Sequence, residues 1–310
     1  GTTELNTNGG GDTVTLETIS GNTTVNTAAG SDTVNVRTIA AATTVNTGAD
    51  ADTVKVGSQS PAMGGNVNRI AALLTINGEG EADSLNVDDT GDTADNTGNL
   101  TATGITGLGM TGKIVYGTVE SLTIGLGSGD DTFTVESTHA GTTELNTNTG
   151  NDTVTLETIS GNTTGNTAVG SDTVNIRTID AATTVNTGAD TDTVNVGSLA
   201  PATGGDVNGI GAVLTVNGDG EADSLNVDDT ADTDGNTGNL TATDITGLGM
   251  TGKIVYGTVE SLTIGLGSGG DTFTVESTHA GTTELNTNAG NDTVTLETVS
   301  GNTTVNTAAG

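Results

Sequence analysis

A chain of 310 residues with no Cys, no Trp and only two Phe and two Tyr cannot build a thick aromatic core, and it excludes disulfides and thiolate metal sites. Six Lys and Arg against 39 Asp and Glu, a net charge of −33, leave no basic face for nucleic acid and would be repelled by anionic membranes. Cations are the natural counter-partners, and no apolar run approaches the ~20 residues of a membrane-spanning helix.

The chain repeats itself. Gly1 to Gly30 recurs at Gly141 and again at Gly281, and 118 of the residues in 1–140 are identical in 141–280. Residues 1–140 and 141–280 are therefore two tandem units, and 281–310 begins a third, as in a window on a longer repetitive chain. Nested inside each unit is a cycle of about 20 residues, the kind of period that marks solenoids and arrays.

The cycle from Thr23 to Ala42 is legible residue by residue. Thr-Thr-Val-Asn-Thr alternates with the period of a strand, and Ala-Ala-Gly-Ser-Asp follows as a turn. Thr-Val-Asn-Val-Arg alternates again, with Val34 and Val36 on one face, before Ile39 and three small residues close a second turn. Strand, turn, strand and turn make one coil of an all-β, parallel β-solenoid, similar to a β-helix or β-roll. Stacked ~4.8 Å apart, such coils align Val14, Val34 and Val54 in one inward column, Leu16, Val36 and Val56 in a second, and Leu5, Val25 and Val45 in a third. At about 1.5–3 kcal/mol per buried aliphatic side chain the margin per coil is thin, so a single coil should not fold alone. The asparagines Asn6, Asn26 and Asn46 share a register and either form an amide ladder or face water.

After Val56 the regularity lapses. Gly57 to Ala72, with Pro61, reads as a loop; Asp88 to Asn99 reads as a second, acidic loop; the run from Asn99 to Glu120 reads as a coil without an Asp turn. The loops are expected to mediate contacts between neighbouring rods. About six coils per unit and about 13 in the chain would make a rod of about 60 Å.

The turn aspartates carry the chemical signal. Asp12, Asp32, Asp52, Asp83, Asp131, Asp152, Asp172, Asp192, Asp223, Asp271 and Asp292 each precede a polar and then an apolar residue, most of them two positions after a Gly. Carboxylates stacked at the coil spacing repel by roughly 1 kcal/mol per neighbour even in water, so they need counterions or hydrogen-bond donors. Calcium accepts carboxylates together with turn carbonyls. Capping of the turn by Asp, accepting backbone N–H groups, is the equally open alternative.

The Gly-x-Asp-x-apolar pattern, clearest in GLGSGDDTFTV from Gly125 and NTGNDTVTL from Asn148, resembles half of the GGxGxDxUx nonapeptide of RTX calcium-binding β-rolls. The resemblance implies Ca2+ between successive turns, with Asp12, Asp32, Asp52, Asp131, Asp152, Asp172, Asp192, Asp271 and Asp292 as ligands. This chain departs from that family in carrying the motif at one edge of the coil only, and in placing Ala28-Ala29 or Asp50 and Asp190 where glycines are expected. The run from Gly104 to Val135 also looks like the giant bacterial beta-strand-repeat, RTX-like proteins, which are secreted or held at the cell surface.

Nothing in the sequence assembles a catalytic site. His139 and His279 are one position copied twice, with Glu136 nearby but no nucleophile, and read as surface residues at the second turn. Arg37 and Arg177 read as charge partners of Glu17 and Glu157. Outward Thr is ordinary strand composition, and Thr with triplets such as Asn22-Thr23-Thr24 and Asn99-Leu100-Thr101 offers acceptors for glycans. The expectation is a non-enzymatic, structural, extracellular or cell-surface protein forming a long rod or fibre, self-associating and stabilised by divalent cations; the alternative is the stalk of a large adhesin.

Overall fold

A computed structural model describes residues 1–308, in two compact units, Gly1–Gly150 and Asn151–Gly310. Both units are all-β, and no helix occurs among the described residues.

The first unit contains β1 (Thr3–Asn6), β2 (Thr13–Leu16), β3 (Thr23–Asn26), β4 (Thr33–Val36), β5 (Thr43–Asn46), β6 (Thr53–Val56), β7 (Leu73–Asn77), β8 (Ser84–Asp88), β9 (Thr97–Thr101), β10 (Gly104–Gly107), β11 (Lys113–Gly117), β12 (Ser121–Gly125), β13 (Thr132–Val135) and β14 (Thr142–Asn146). Consecutive strands alternate between two sheets. One runs β1-β3-β5-β7-β11-β10-β9-β13 and the other β2-β4-β6-β8-β12-β14.

Register follows the 20-residue cycle. Parallel pairing sets Val14 beside Val34 and Val34 beside Val54, with Leu85 next. Leu5, Val25, Val45 and Ile76 form a second column, and Leu16, Val36, Val56 and Val87 a third, as the alternation predicts. These side chains are buried apart from Leu5 on the first strand. Ile19, Ile39 and Ile70 stack at the second turn through isolated parallel bridges. β-Branched residues suit this geometry because their stiff side chains pack on a pleated surface at little rotamer cost.

The stretch from Asn99 to Glu120 departs from the expected coil. It folds back on itself, β10 pairing antiparallel with both β9 and β11, so that Ile105 faces Leu100 and Ile114. The physical reason lies in Gly107-Leu108-Gly109, three successive residues with positive φ, which reverse the chain where a coil would carry it onward. The insertion costs the stack nothing in register: β11 pairs parallel with β7, β12 with β8, and β13 with β9.

Here the chain uses its few large side chains. Phe133 is fully buried and sits opposite Gly98, where an added Cβ would lie 2.6 Å from the Phe133 ring. Gly98 thus supplies the volume that the aromatic ring fills. Tyr116, also buried, donates its hydroxyl to the Thr101 carbonyl at 2.8 Å.

The insertion also changes which sheet comes next. Thr3–Asn6 lies in the first sheet, whereas its copy Thr142–Asn146 pairs with β12 in the second. Likewise Asp12 precedes a strand of the second sheet and Asp131 a strand of the first.

The second unit repeats the plan. Its strands are β15 (Thr153–Ile159), β16 (Thr163–Asn166), β17 (Thr173–Ile179), β18 (Thr183–Asn186), β19 (Thr193–Val196), β20 (Val213–Asn217), β21 (Ser224–Asp228), β22 (Thr237–Leu240), β23 (Asp244–Gly247), β24 (Lys253–Gly257), β25 (Ser261–Gly265), β26 (Thr272–Ser277), β27 (Thr282–Asn286), β28 (Thr293–Thr298) and β29 (Asn302–Asn306). One sheet orders β15-β17-β19-β21-β25-β27-β29, the other β16-β18-β20-β24-β23-β22-β26-β28, with β23 again antiparallel to its neighbours.

Candidate functional site: the aspartate ladders

Each turn aspartate stands immediately before a strand, where the last N–H of the turn has lost its sheet partner. Its carboxylate supplies the missing acceptor. Asp12 N–H donates to Asp32 Oδ1 at 2.7 Å, Asp32 N–H to Asp52 Oδ1 at 2.7 Å, and Asp52 N–H to Asp83 Oδ1 at 2.8 Å. Main-chain bonds return in the other direction, Thr33 N–H to the Asp12 carbonyl and Thr53 N–H to the Asp32 carbonyl. Successive cycles are therefore cross-linked twice at every turn. In the second unit the ladder runs Asp152 to Asp172 to Asp192 to Asp223, at 2.7, 2.7 and 2.9 Å.

Both ladders end on a glutamate that the turn motif does not reveal. Asp83 N–H donates to Glu120 Oε2 at 2.8 Å, and Asp223 N–H to Glu260 Oε2 at 2.9 Å. The signal was present as Glu-Ser-Leu-Thr-Ile at Glu120, parallel to Asp-Ser-Leu-Asn-Val at Asp83. Further rungs begin at asparagines: Asn96 N–H donates to Asp131 Oδ1, and Asn236 N–H to Asp271 Oδ1, followed by Asp271 N–H to Asp292 Oδ1 at 3.0 Å. Of the nine candidate ligands read from the sequence, the structure thus strings Asp12, Asp32 and Asp52 on one ladder and Asp152, Asp172 and Asp192 on another, and Asp131, Asp271 and Asp292 stand on rungs that begin at asparagines.

Burial makes this arrangement electrostatically loaded. Asp32, Asp52, Asp83, Asp172, Asp192, Asp223 and Asp271 are all at most 3% exposed, and each keeps an Oδ2 atom buried without a hydrogen-bond partner. Burial pushes Asp172 up to about 7 and Asp192 to about 6, against the pull of the backbone N–H each accepts; the neighbouring ladder carboxylates add to the rise. Asp52, Asp83, Asp223 and Asp271 are raised for the same first reason. A buried carboxyl with one free oxygen can carry a proton there or face a cation.

Each rung of a ladder takes a single carboxylate, and no group of three His, Cys, Asp or Glu able to hold a metal forms among the described residues. Hard oxygen donors suit Ca2+, and the remaining ligands would have to be backbone carbonyls. Backbone capping, the other reading of these residues, is present in the geometry.

The two irregular loops bind one another instead of standing free. Gly65 N–H donates to Asp88 Oδ2, Val67 N–H to Asp89 Oδ1, Gly64 N–H to Thr90, Gly91 N–H to the Gly65 carbonyl, and the Asn68 amide to Asp92. Asp89 is buried and raised to about 7, chiefly by that burial, with the charges of Asp92, Asp131 and Asp88 adding to the rise; Asp229 repeats this at about 7.

Four further expectations meet the structure. The asparagines form an amide ladder, Asn26 to Asn6, Asn46 to Asn26 and Asn77 to Asn46, each at 2.7 Å. Arg37 pairs with Glu17, and Arg177 with Glu157 at 2.6 Å. Their Nε groups also donate to the Ser60 and Ala200 carbonyls, tying each arginine to the loop that follows. His139 is half-buried rather than simply on the surface: it packs edge-on against Tyr116 with centroids 5.9 Å apart, and that burial lowers its pKa. Comparison with protein-family models and with curated proteins finds no match to this chain.

Proposed function

We propose that the chain is a structural protein in which the alternating strands close into coils of a parallel β-solenoid, stacked into an extended rod or fibre outside the cell. The observation that carries this reading is the doubly bonded Asp ladder: in the regular half, each cycle is joined to the next by the same pair of hydrogen bonds over the same apolar columns. Such a unit adds length without adding a new kind of contact, which is the physical basis of repeat architectures. The RTX-like turns support Ca2+ as the counterion of the ladders, each ion facing the free Oδ2 atoms and turn carbonyls.

Negative-stain imaging of chains carrying increasing numbers of 140-residue repeats tests the rod. Particle length should rise in proportion to repeat number, and compact particles of constant aspect ratio would overturn the reading. For the ion, melting in Ca2+ against melting in EDTA at pH 8 is decisive. Saturation at ~100 times the dissociation constant would stabilise by about 2.7 kcal/mol per site, and an unchanged melt removes calcium from the proposal.

A further inference from the structure

In the second unit a loop rises beside the sheet and makes a cleft of its surface. Strands β17, β19, β21 and β25 pair in parallel and align Asn175, Asn195, Asn226 and Thr263 in one row, on the face opposite the apolar columns. The loop after β19 stands over this row. Between them lies a cleft of about 450 Å³, lined by Asn195, Asn226, Thr263 and Asn286 on the sheet side and by Pro201 and Thr203 on the loop side. That volume falls within the ~300–1,000 Å³ of ordinary ligand sites. Hydrogen bonds hold the loop in place: Gly205 N–H donates to Asp228 Oδ2 at 2.8 Å, Ala231 N–H to the Gly205 carbonyl, and Arg177 Nε to the Ala200 carbonyl at 3.0 Å. At Gly265 an added Cβ would lie 2.8 Å from the Thr230 methyl, so the glycine makes room for Thr230 at the rim.

The row is a directed chain of amides. Asn226 Nδ2 donates to Asn195 Oδ1 at 3.0 Å, Asn195 Nδ2 to Asn175 Oδ1 at 3.0 Å, and Asn175 Nδ2 to the Thr155 hydroxyl at 3.4 Å. Every bond points the same way, so one acceptor is left over at the far end. That acceptor is Asn226 Oδ1, beside the Thr263 hydroxyl, and neither oxygen has a partner among the described residues. Aligned amides polarise one another and strengthen the terminal acceptor. Donors remain too: Asn195 and Asn226 each keep a second N–H, and Asn286 uses only its oxygen, which accepts from Asn306. The carboxylate of the cleft is already occupied. Beside the Gly205 N–H on Oδ2, Asp228 Oδ1 accepts the Thr230 N–H at 3.2 Å and the Thr230 hydroxyl at 2.6 Å. The groups left to meet a ligand are therefore neutral amides and hydroxyls. In the first unit, Lys55 and Met63 stand where the second has Asn195 and Thr203. A lysine accepts no hydrogen bond, so the amide chain cannot pass through position 55.

We propose that the cleft of the second unit is a binding site for a neutral carbohydrate, one of whose hydroxyls donates to Asn226 Oδ1 while others accept from the free amide N–H groups. The unpartnered groups select this class. A hydroxyl both donates and accepts, so a single kind of ligand group answers the terminal oxygen and the amide donors together. A sugar carries several hydroxyls on a frame with apolar C–H faces, which suits a polar floor opposite Pro201. Charge narrows the choice. A chain of net charge −33 repels acidic sugars, and with Asp228 occupied a cation finds no open carboxylate in the cleft. No aromatic ring lines the site, so the ligand is held weakly. The cleft lies within one unit, and the inference stands apart from the rod reading above.

Saturation-transfer difference NMR on the 310-residue chain tests it, because the method reads weak binding. Maltose, cellobiose and N,N′-diacetylchitobiose serve as neutral probes, digalacturonate as the acidic one and acetyl-trialanine amide as a peptide. The expected result is transfer to a neutral disaccharide and little to the acidic sugar or the peptide. Asn226→Ala, which removes the terminal acceptor, and Asn195→Lys, which installs the residue of the first unit, should each abolish the signal. Asn86→Ala, the same position as Asn226 in the first unit, should leave it unchanged. Thr203→Met also copies the first unit; it lies on an exposed loop where folding is not at stake, and it should weaken the signal. No transfer to any neutral disaccharide, transfer as strong to digalacturonate or to the peptide, or a signal that survives Thr203→Met and Asn226→Ala would overturn the proposal.

Discussion

The two halves of each repeat solve the same packing problem in opposite ways. From β1 to β6 the chain uses small β-branched side chains, one turn aspartate per cycle and parallel pairing throughout. From β7 to β13 it uses its aromatic residues, glycines in close contact, two loops bonded to each other and an antiparallel strand. The irregular half is tolerated because it rejoins the stack in register, so that Ile76 continues into Tyr116 and Val87 into Ile124. Regularity here is a property of the columns, not of the path the chain takes between them.

The sharpest way to break this contrast is at the Phe133–Gly98 pair. Phe133→Ala should cost about 3–5 kcal/mol in denaturant unfolding, whereas Ile39→Val in the regular half should cost about 0.5–1.5 kcal/mol. Equal effects would mean that the large side chains do not anchor the irregular half. Next in size are the ladders. Asp172→Ala leaves the Asp152 N–H buried without its acceptor and should cost about 1–3 kcal/mol. In EDTA, Asp172→Asn, which keeps an acceptor oxygen and removes the buried charge, should raise the melting temperature at pH 8 relative to the parent.

Protons should act in the same direction. Asp172, Asp192, Asp89 and Asp229 hold theirs up to about pH 7, 6, 7 and 7 in the folded chain, against an ordinary value of 3.8. The stability they contribute is complete below 3.8 and is lost as pH rises through 6 to 7. In EDTA, the melting temperature should therefore fall between pH 5 and pH 8, and a melting temperature that rises over that range would refute the assignment. The smallest effect belongs to the surface: Arg37→Lys, losing the forked contact to Glu17 and the Ser60 carbonyl, should cost no more than ~1 kcal/mol.

Much of this was legible in the sequence. The 20-residue period fixes the strand positions of the regular half and all three apolar columns, because alternation has only two phases and one of them buries Val25, Val34 and Val36. The Arg37–Glu17 pair followed from the same spacing. The antiparallel strand was not legible, since Gly-Ile-Thr-Gly alternates like any other short strand and local pattern carries no direction. The role of Glu120 was written in the parallel between Glu-Ser-Leu-Thr-Ile and Asp-Ser-Leu-Asn-Val, but a motif defined by Asp passes over it. The bonding between the loops was hidden because it joins Gly65 and Val67 to Asp88 and Asp89 through backbone N–H groups, which every residue has.

The crossing of sheets within a repeat carries a consequence of parity. A strand and its copy one sequence period later stand on opposite sheets, as β1 and β14 do in the first unit and as the Thr/Asn strands β16 and β29 do in the second. The packing partners of a residue repeat with the sequence, Phe273 lying against Gly238 as Phe133 lies against Gly98, while within each unit a strand and its copy change sheet. Duplication of this segment therefore keeps the neighbours of each side chain and exchanges the sheet that carries it.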